Sequence, residues 1–294
     1  MISFLSGYHL LFDLMCINAL LALSQYIVLR AGVFSVASAG LMAIGAYTTG
    51  HLVMKQGMQP ELAILCGALV STLISFLLSL PLVRLRGIFQ AIATLAFVQI
   101  VVSATLYATS FTGGAIGMNG IPKLAGTWQI VIALVAVYWV LRNVSHSAIG
   151  QAFDMIRQDE HVAVAFGINV ARYHTLAFAI SGFVAGLAGG LSALHNYSLV
   201  PEEFGFGLLV AGLSYVVFGG RQSPLGPVVG AVLLTLLPEI SRPLADNRMI
   251  IYGALLMWTI IYLPQGVVDT ILLKRQQRLC RSRDRGRTPW SEVL

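Results

Sequence analysis

Long apolar runs separated by short polar segments dominate the chain, at residues 8–29, 36–54, 61–80, 88–109, 172–194 and 250–272. A bilayer core about 30 Å thick takes about 20 helical residues at 1.5 Å each, so each run predicts one membrane-spanning helix. Shorter runs at 128–141, 206–220 and 225–240 predict spans with ragged ends or partly re-entrant helices. The expected fold class is all-α: a polytopic transmembrane helical bundle of about nine spans over residues 1–273, followed by a basic tail at 274–294. The first run carries no basic residue before Arg30, so it predicts a first span rather than a cleaved signal peptide.

Composition closes off the soluble alternatives. Of 294 residues, 57% are hydrophobic and 10% charged, and the mean hydropathy is +0.82. Soluble domains carry about 45–50% apolar and about 25% charged residues, so neither a soluble enzyme nor a disordered chain fits. Cys16, Cys66 and Cys280 predict no disulfide framework, and the six histidines are scattered singly, so no metal site is expected.

Charge then orients the bundle. With the N-terminus outside, fourteen of the 18 Lys and Arg fall on the inner side, including seven from Lys274 to Arg287. Lys55, Lys123, Arg242 and Arg248 fall outside. The positive-inside rule therefore gives N-out, C-in. The tail predicts an anchor on anionic lipid rather than a nucleic-acid site, since it has no aromatic platform.

Ionisable residues within spans mark ion or proton paths. Asp13, Glu239 and Asp269 sit at span ends, where solvation by the interface is expected, so no energy-coupling carboxylate is predicted. Small residues are plentiful instead. Gly182, Gly186 and Gly190 recur every four residues on one helix face, which predicts either tight packing within the chain or a face lining a path. Gln90, Thr94 and Gln99 on the fourth run either line a path or bond neighbouring helices. The glycine-rich segment Thr112–Pro122 is no phosphate loop, because no Gly-Lys-Ser/Thr follows it. No Walker A sequence occurs in the chain, so any ATP is handled by another subunit.

The longest inner loop, 142–172, combines polar and apolar residues. A helix of about 17 residues is expected from Gly150, ending at a Gly167 C-cap, with Phe153, Ile156 and Glu160 on one face. Three acids against one arginine favour a protein partner over a lipid surface for this element.

Residues 150–178, GQAFDMIRQDEHVAVAFGINVARYHTLAF, resemble the cytoplasmic coupling loop of branched-chain amino-acid ABC importer permeases of the LivM-like type. Gly150, Ala152, Ile156, Arg157, Asp159, Glu160, Ala163, Gly167, Ile168, Asn169 and Arg172 match, whereas Gln151 and Gln158 depart from the family's Arg and Glu. The stretches from Gly32, Leu85 and Thr112 are similar to further family signatures in the same order, with Ala37-Ser38 in place of Gly-His. Pro201-Glu202, Phe218-Gly219-Gly220, Gly226-Pro227, Gly230 and Leu237-Pro238-Glu239 fall where the family has comparable residues.

The resemblance implies a non-enzymatic permease subunit in a bacterial inner membrane, importing branched-chain or other small neutral amino acids, or related amides. It implies a companion permease, two cytoplasmic ATPases that hold the ATP and Mg, and an extracytoplasmic binding protein. Arg157, Asp159 and Glu160 would then contact the ATPase, with Ala163 and Gly167 allowing close approach. Glu202, Glu203, Arg242 and Arg248 would meet the binding protein. The rival class is a secondary carrier driven by an ion gradient, which would transport without an ATPase and depend on a carboxylate such as Asp13.

Overall fold

The computed structural model describes residues 2–240, 253, 257, 266 and 268–270. The helices are α1 (Ile2–Arg30), α2 (Ser38–Gln56), α3 (Pro60–Leu82), α4 (Ile88–Tyr107), α5 (Thr109–Thr112), α6 (Thr127–His146), α7 (Ala148–Gln158), α8 (Glu160–Ala165), α9 (Val170–His195), α10 (Phe206–Gly219) and α11 (Leu225–Ile240). The first five long apolar runs thus lie on α1–α4 and α9, and the three short runs on α6, α10 and α11. The run 250–272 falls almost entirely outside the described residues, as do Arg242, Arg248 and the basic tail.

Six of the described helices are long and apolar enough to cross a membrane. Helix α2, 19 residues long, is not among them, for a physical reason. It is buried along nearly its whole length by other helices, so it carries Gly, Ala and Thr rather than the bulky side chains that face lipid.

Helix α3 displays the inverse of a soluble amphipathic helix. Its buried face is Ala63, Gly67, Ala68, Ser71, Ser75 and Ser79, while Leu62, Leu65, Leu69, Leu73, Leu77 and Leu80 point outward. Leucine outside and serine inside is favourable only where the surroundings are as apolar as leucine, so close packing of small residues and interhelical hydrogen bonds replace the hydrophobic effect as the association force.

Those bonds are present. The Ser71 hydroxyl donates to Leu41 O at 2.9 Å, Ser75 to Phe178 O at 2.6 Å, Thr49 to Ala63 O at 3.2 Å and Ser24 to Ser181 O at 2.9 Å. Helix α9 is the hub, packing most extensively on α3 and α2 and then on α1.

One end of the bundle is closed by a two-stranded antiparallel ribbon, β1 (Met118–Asn119) with β2 (Ser198–Leu199), in register Met118↔Leu199. The glycine-rich segment exists for this closure. Gly113, Gly114, Gly117 and Gly120 all have positive φ, and a Cβ on Gly117 would run into the Leu199 carbonyl. Tyr107, Trp128 and Tyr197 are exposed at this end, as aromatic residues are at a membrane–water boundary.

Candidate functional site

The loop between α6 and α9 folds as two short helices, α7 and α8, rather than the single helix expected from Gly150. The break falls at Asp159, which is extended (φ −158°, ψ 116°). Its carboxylate accepts from the N–H groups of His161 at 2.8 Å and Val162 at 3.3 Å. Satisfying the orphan donors of a new helix start outweighs continuing the old one. Gly167 terminates α8 as anticipated, with φ +80° and Ile168 N–H bonded back to Ala163 O at 3.1 Å. Asn169 caps α9 by accepting from Arg172 N–H at 3.2 Å. Gly150 permits the sharp α6–α7 turn, because a Cβ there would lie 2.5 Å from both Val144 O and Ser145 O.

A clamp fixes α7 to the rest of the bundle. Arg30, at the end of α1, is 7% exposed and grips Asp154 with two bonds, Nε–Oδ1 at 3.2 Å and Nη2–Oδ2 at 2.9 Å. The same guanidinium donates to the Tyr26 hydroxyl at 2.9 Å and to Ser145 O at 3.3 Å, so α1, α6 and α7 meet at one side chain. Beneath it Phe153 is fully buried, edge-on to Tyr173 of α9 with centroids 6.1 Å apart. Gly32, with φ +86°, lets the α1–α2 connection pass the Arg157 backbone, where a Cβ would come within 3.3 Å.

The predicted docking residues divide. Arg157 turns toward Asp154 at 4.0 Å, and Glu160 reaches Arg86 of the α3–α4 connection at 3.7 Å. Ala163 is fully buried, so its small size serves the approach of α8 to the bundle and not the approach of a partner. Val162 and Val164 of α8 and Phe166 just after it are exposed, the last 73%, beside the exposed His161 and with Gly167 in open space.

Gly182, Gly186 and Gly190 are brought together as a packing face. A Cβ on Gly186 would lie 2.6 Å from Ser71 Cβ, one on Gly182 2.9 Å from Ser75 Oγ, and one on Gly190 2.8 Å from Thr49 Oγ1. Gln90 donates to Leu82 O at 3.2 Å, and the Thr94 hydroxyl accepts from Val36 N–H at 3.1 Å, so they tie α4 to the end of α3 and to the α1–α2 connection. Gln99 is exposed on α4. Glu202 and Glu203 are exposed on the 3-10 turn Pro201–Phe204, next to the β-ribbon.

Two carboxylates expected to be solvated are buried. Asp13 is 4% exposed; its Oδ2 accepts from the Thr127 hydroxyl at 3.0 Å and lies 3.7 Å from His195 Nδ1. Asp13 Oδ1 and His195 Nε2 are buried with no partner. Asp269 is 1% exposed and accepts from Gln222 N–H at 2.8 Å. Proximity to a span end in sequence did not reveal that α6 and α9 cover Asp13, or that the α10–α11 connection wraps Asp269. The signal available was the rule that an ionisable residue in a span marks a site by default, with its partner to be sought. Applied to Asp13, that rule points to a histidine such as His195.

Comparison with known proteins places this architecture. Residues 10–260 match the family model described as branched-chain amino acid transport system / permease component. The high-affinity branched-chain amino acid transport system permease protein LivM of Salmonella typhimurium is 31% identical over 286 residues, covering 86% of this chain and 66% of that protein. The fructose import permease protein FrcC of Rhizobium meliloti is 25% identical, over 72% of this chain and 64% of its own. The permease LivH of Escherichia coli K12 is 26% identical over 48% of this chain and 47% of its own. The chain therefore spans just under two thirds of the length of the first two of these relatives. No solved structure matches it. With the family model covering all but the ends of the sequence, the chain belongs to the family of branched-chain amino acid transport system permease components.

Proposed function

We propose that the chain is a permease subunit of an ATP-driven ABC importer in a bacterial inner membrane, passing branched-chain or other small neutral amino acids, or related amides, into the cytoplasm. The observation that carries this reading is the α7–α8 element, which is clamped through Arg30–Asp154 and presents Val162, Val164 and Phe166 on its exposed side. An exposed apolar strip on a well-anchored helix suits insertion into a groove of a partner. That partner is a cytoplasmic ATPase, two copies of which hold ATP and Mg. ATP binding draws the paired ATPases together, α8 moves with them, and the clamp passes the displacement to α1.

The nine-span, N-out/C-in arrangement belongs to this reading and rests on the charge count of the loops. It puts α7–α8 inside and Glu202, Glu203, Arg242 and Arg248 outside, where an extracytoplasmic binding protein delivers substrate. A companion permease completes the path, and Gln99, an exposed amide on α4, is placed to meet it or the cargo. The scarcity of charge in the spans suits net-neutral cargo, and relatives named for amino acids and for fructose are both consistent with that.

A pull-down of the detergent-solubilised chain from its native membrane, read by mass spectrometry, tests the proposal. It requires a Walker-A ATPase and a second polytopic subunit. Recovery of the chain alone, still transporting in liposomes, would overturn it. The buried Asp13–His195 pair favours a second reading, a carrier driven by an ion gradient. Uptake that stops when the proton gradient is collapsed at constant ATP, and that Asp13→Asn abolishes, would select the carrier.

A further inference from the structure

Two cavities meet where α1 ends, α10 ends and α7 crosses between them. The larger, about 440 Å³, is lined by Arg157, Arg221, Gln222 and Asp269 together with Leu29 and Phe34. The smaller, about 150 Å³, shares Leu29, Phe34 and Arg221 and continues along Val217, Val216 and Leu213 of α10. One is polar and carries two guanidinium groups; the other is an apolar groove. From Gly219, the end of α10, back to Leu213 is about 9 Å of helix running into the span.

We propose that this composite cavity binds an anionic phospholipid, the phosphate on Arg157 and Arg221 and an acyl chain in the groove of α10. The charges present support a phosphate. Asp269 accepts from Gln222 N–H through Oδ2 and its Oδ1 is buried without a partner, and Asp154 bonds Arg30 at 2.9 Å but Arg157 only at 4.0 Å, so two guanidinium groups line the cavity against one carboxylate. Among the described residues no carboxylate pairs with Arg221. A free anion would use the polar half alone, whereas Phe34, 48% exposed, and Val217, 44% exposed, give the apolar half an opening for hydrocarbon. The chain's own segment 274–294 is a poor occupant, because its seven basic residues would face two more arginines. The inference rests on the proposed orientation, which sets these arginines in the leaflet where anionic lipids and basic side chains meet. A lipid seated there would touch α1, α7 and α10 together, beside the clamp that holds the docking element.

Native mass spectrometry of the whole complex, supplied with phosphatidylglycerol or phosphatidylcholine, tests it. Phosphatidylglycerol should be retained preferentially. Arg221→Glu should weaken its binding at least about fivefold, the effect of one basic residue near a membrane surface, and Arg221→Lys should preserve it. Val217→Trp, filling the groove, should exclude the lipid. Unchanged subunit stoichiometry in each variant shows that the complex has stayed folded. Equal retention of both lipids, or retention that Arg221→Glu leaves intact, would overturn the proposal. So would inorganic phosphate competing for a site that Val217→Trp does not affect, which identifies a free-anion site, or loss of retention only when residues 274–294 are removed. None of these readouts needs transport or ATP hydrolysis. Labelling Arg221→Cys with a membrane-impermeant thiol reagent tests the orientation separately.

Discussion

Helix α9 and the α7–α8 element that precedes it are held to the bundle by opposite means. Along α9, cohesion is spread over four glycines and the hydroxyls of Ser24 and Ser75, each contact small and none replaceable by a larger group. At α7–α8, cohesion is concentrated in two ion pairs, Arg30–Asp154 and Arg86–Glu160, and a few buried side chains with Phe153 foremost. A face built from small residues has no slack, so α2, α3 and α9 move as a block. A segment held by a few polar ties can tilt as a unit. The first arrangement suits a wall that must not leak, the second a lever.

The sharpest way to break that contrast is to add bulk where none fits. Gly189→Leu would drive a side chain into the Met42 carbonyl, with Ala46 N only 2.9 Å from the first added carbon. Overpacking against backbone has no rotamer escape, and the expected result is loss of more than about 4 kcal/mol and no recoverable protein. Size-exclusion chromatography of the expressed chain checks it. A monodisperse Gly189→Leu protein would mean that the wall has slack after all.

Next in size is the clamp. Asp154→Ala leaves Arg30, 7% exposed, with no counter-charge. Stranding a buried cation costs on the order of 3 kcal/mol, and part of it is spared here because Asp154 itself is 38% exposed. Thermal unfolding of the purified complex should show the loss. The double variant Arg30→Met/Asp154→Ala should regain much of the stability but not substrate uptake, since the link from α7 to α1 is gone. Uptake restored along with stability would show that the pair is structural only.

Much of this was legible beforehand, and the gaps have physical causes. Period and length of the apolar runs located the long helices, because a span must satisfy its backbone internally whatever its neighbours are. The Gly182–Gly186–Gly190 face was visible as a spacing, but whether it met α3 or a path depended on a partner surface, Ser71 and Ser75, that a sequence does not pair. Asp159 caps α8, a role its composition-based reading does not contain; composition favours a continuous helix, and a local side-chain bond decides otherwise. In the sequence Arg30 reads only as an inner-side charge. Its partner Asp154, 124 residues away, has no sequence mark beyond being an acid in the longest inner loop.

At the tip of the lever, Gly167 has φ +80° and nothing within 4 Å of where a Cβ would be. Gly167→Ala should cost about 1 kcal/mol for the left-handed backbone, with uptake largely kept. Gly167→Arg adds bulk and charge beside Phe166 at the same backbone cost. It should abolish uptake while membrane insertion stays normal, as read by transport of labelled amino acid and by fractionation. Full uptake in Gly167→Arg would remove α8 from the docking surface.

The smallest effect separates two roles of one residue. Asp159→Ala removes the cap of α8, worth about 1 kcal/mol, and uptake should fall a few-fold. Asparagine caps a helix nearly as well as aspartate but carries no charge. If Asp159 serves by holding α8 in shape, Asp159→Asn should restore uptake to the parent level. If its charge meets a basic group on the ATPase, Asp159→Asn should behave like Asp159→Ala. The 2.8 Å bond to His161 N–H leads us to expect the first outcome, with the docking contact made by the apolar strip and not by the acid that shapes it.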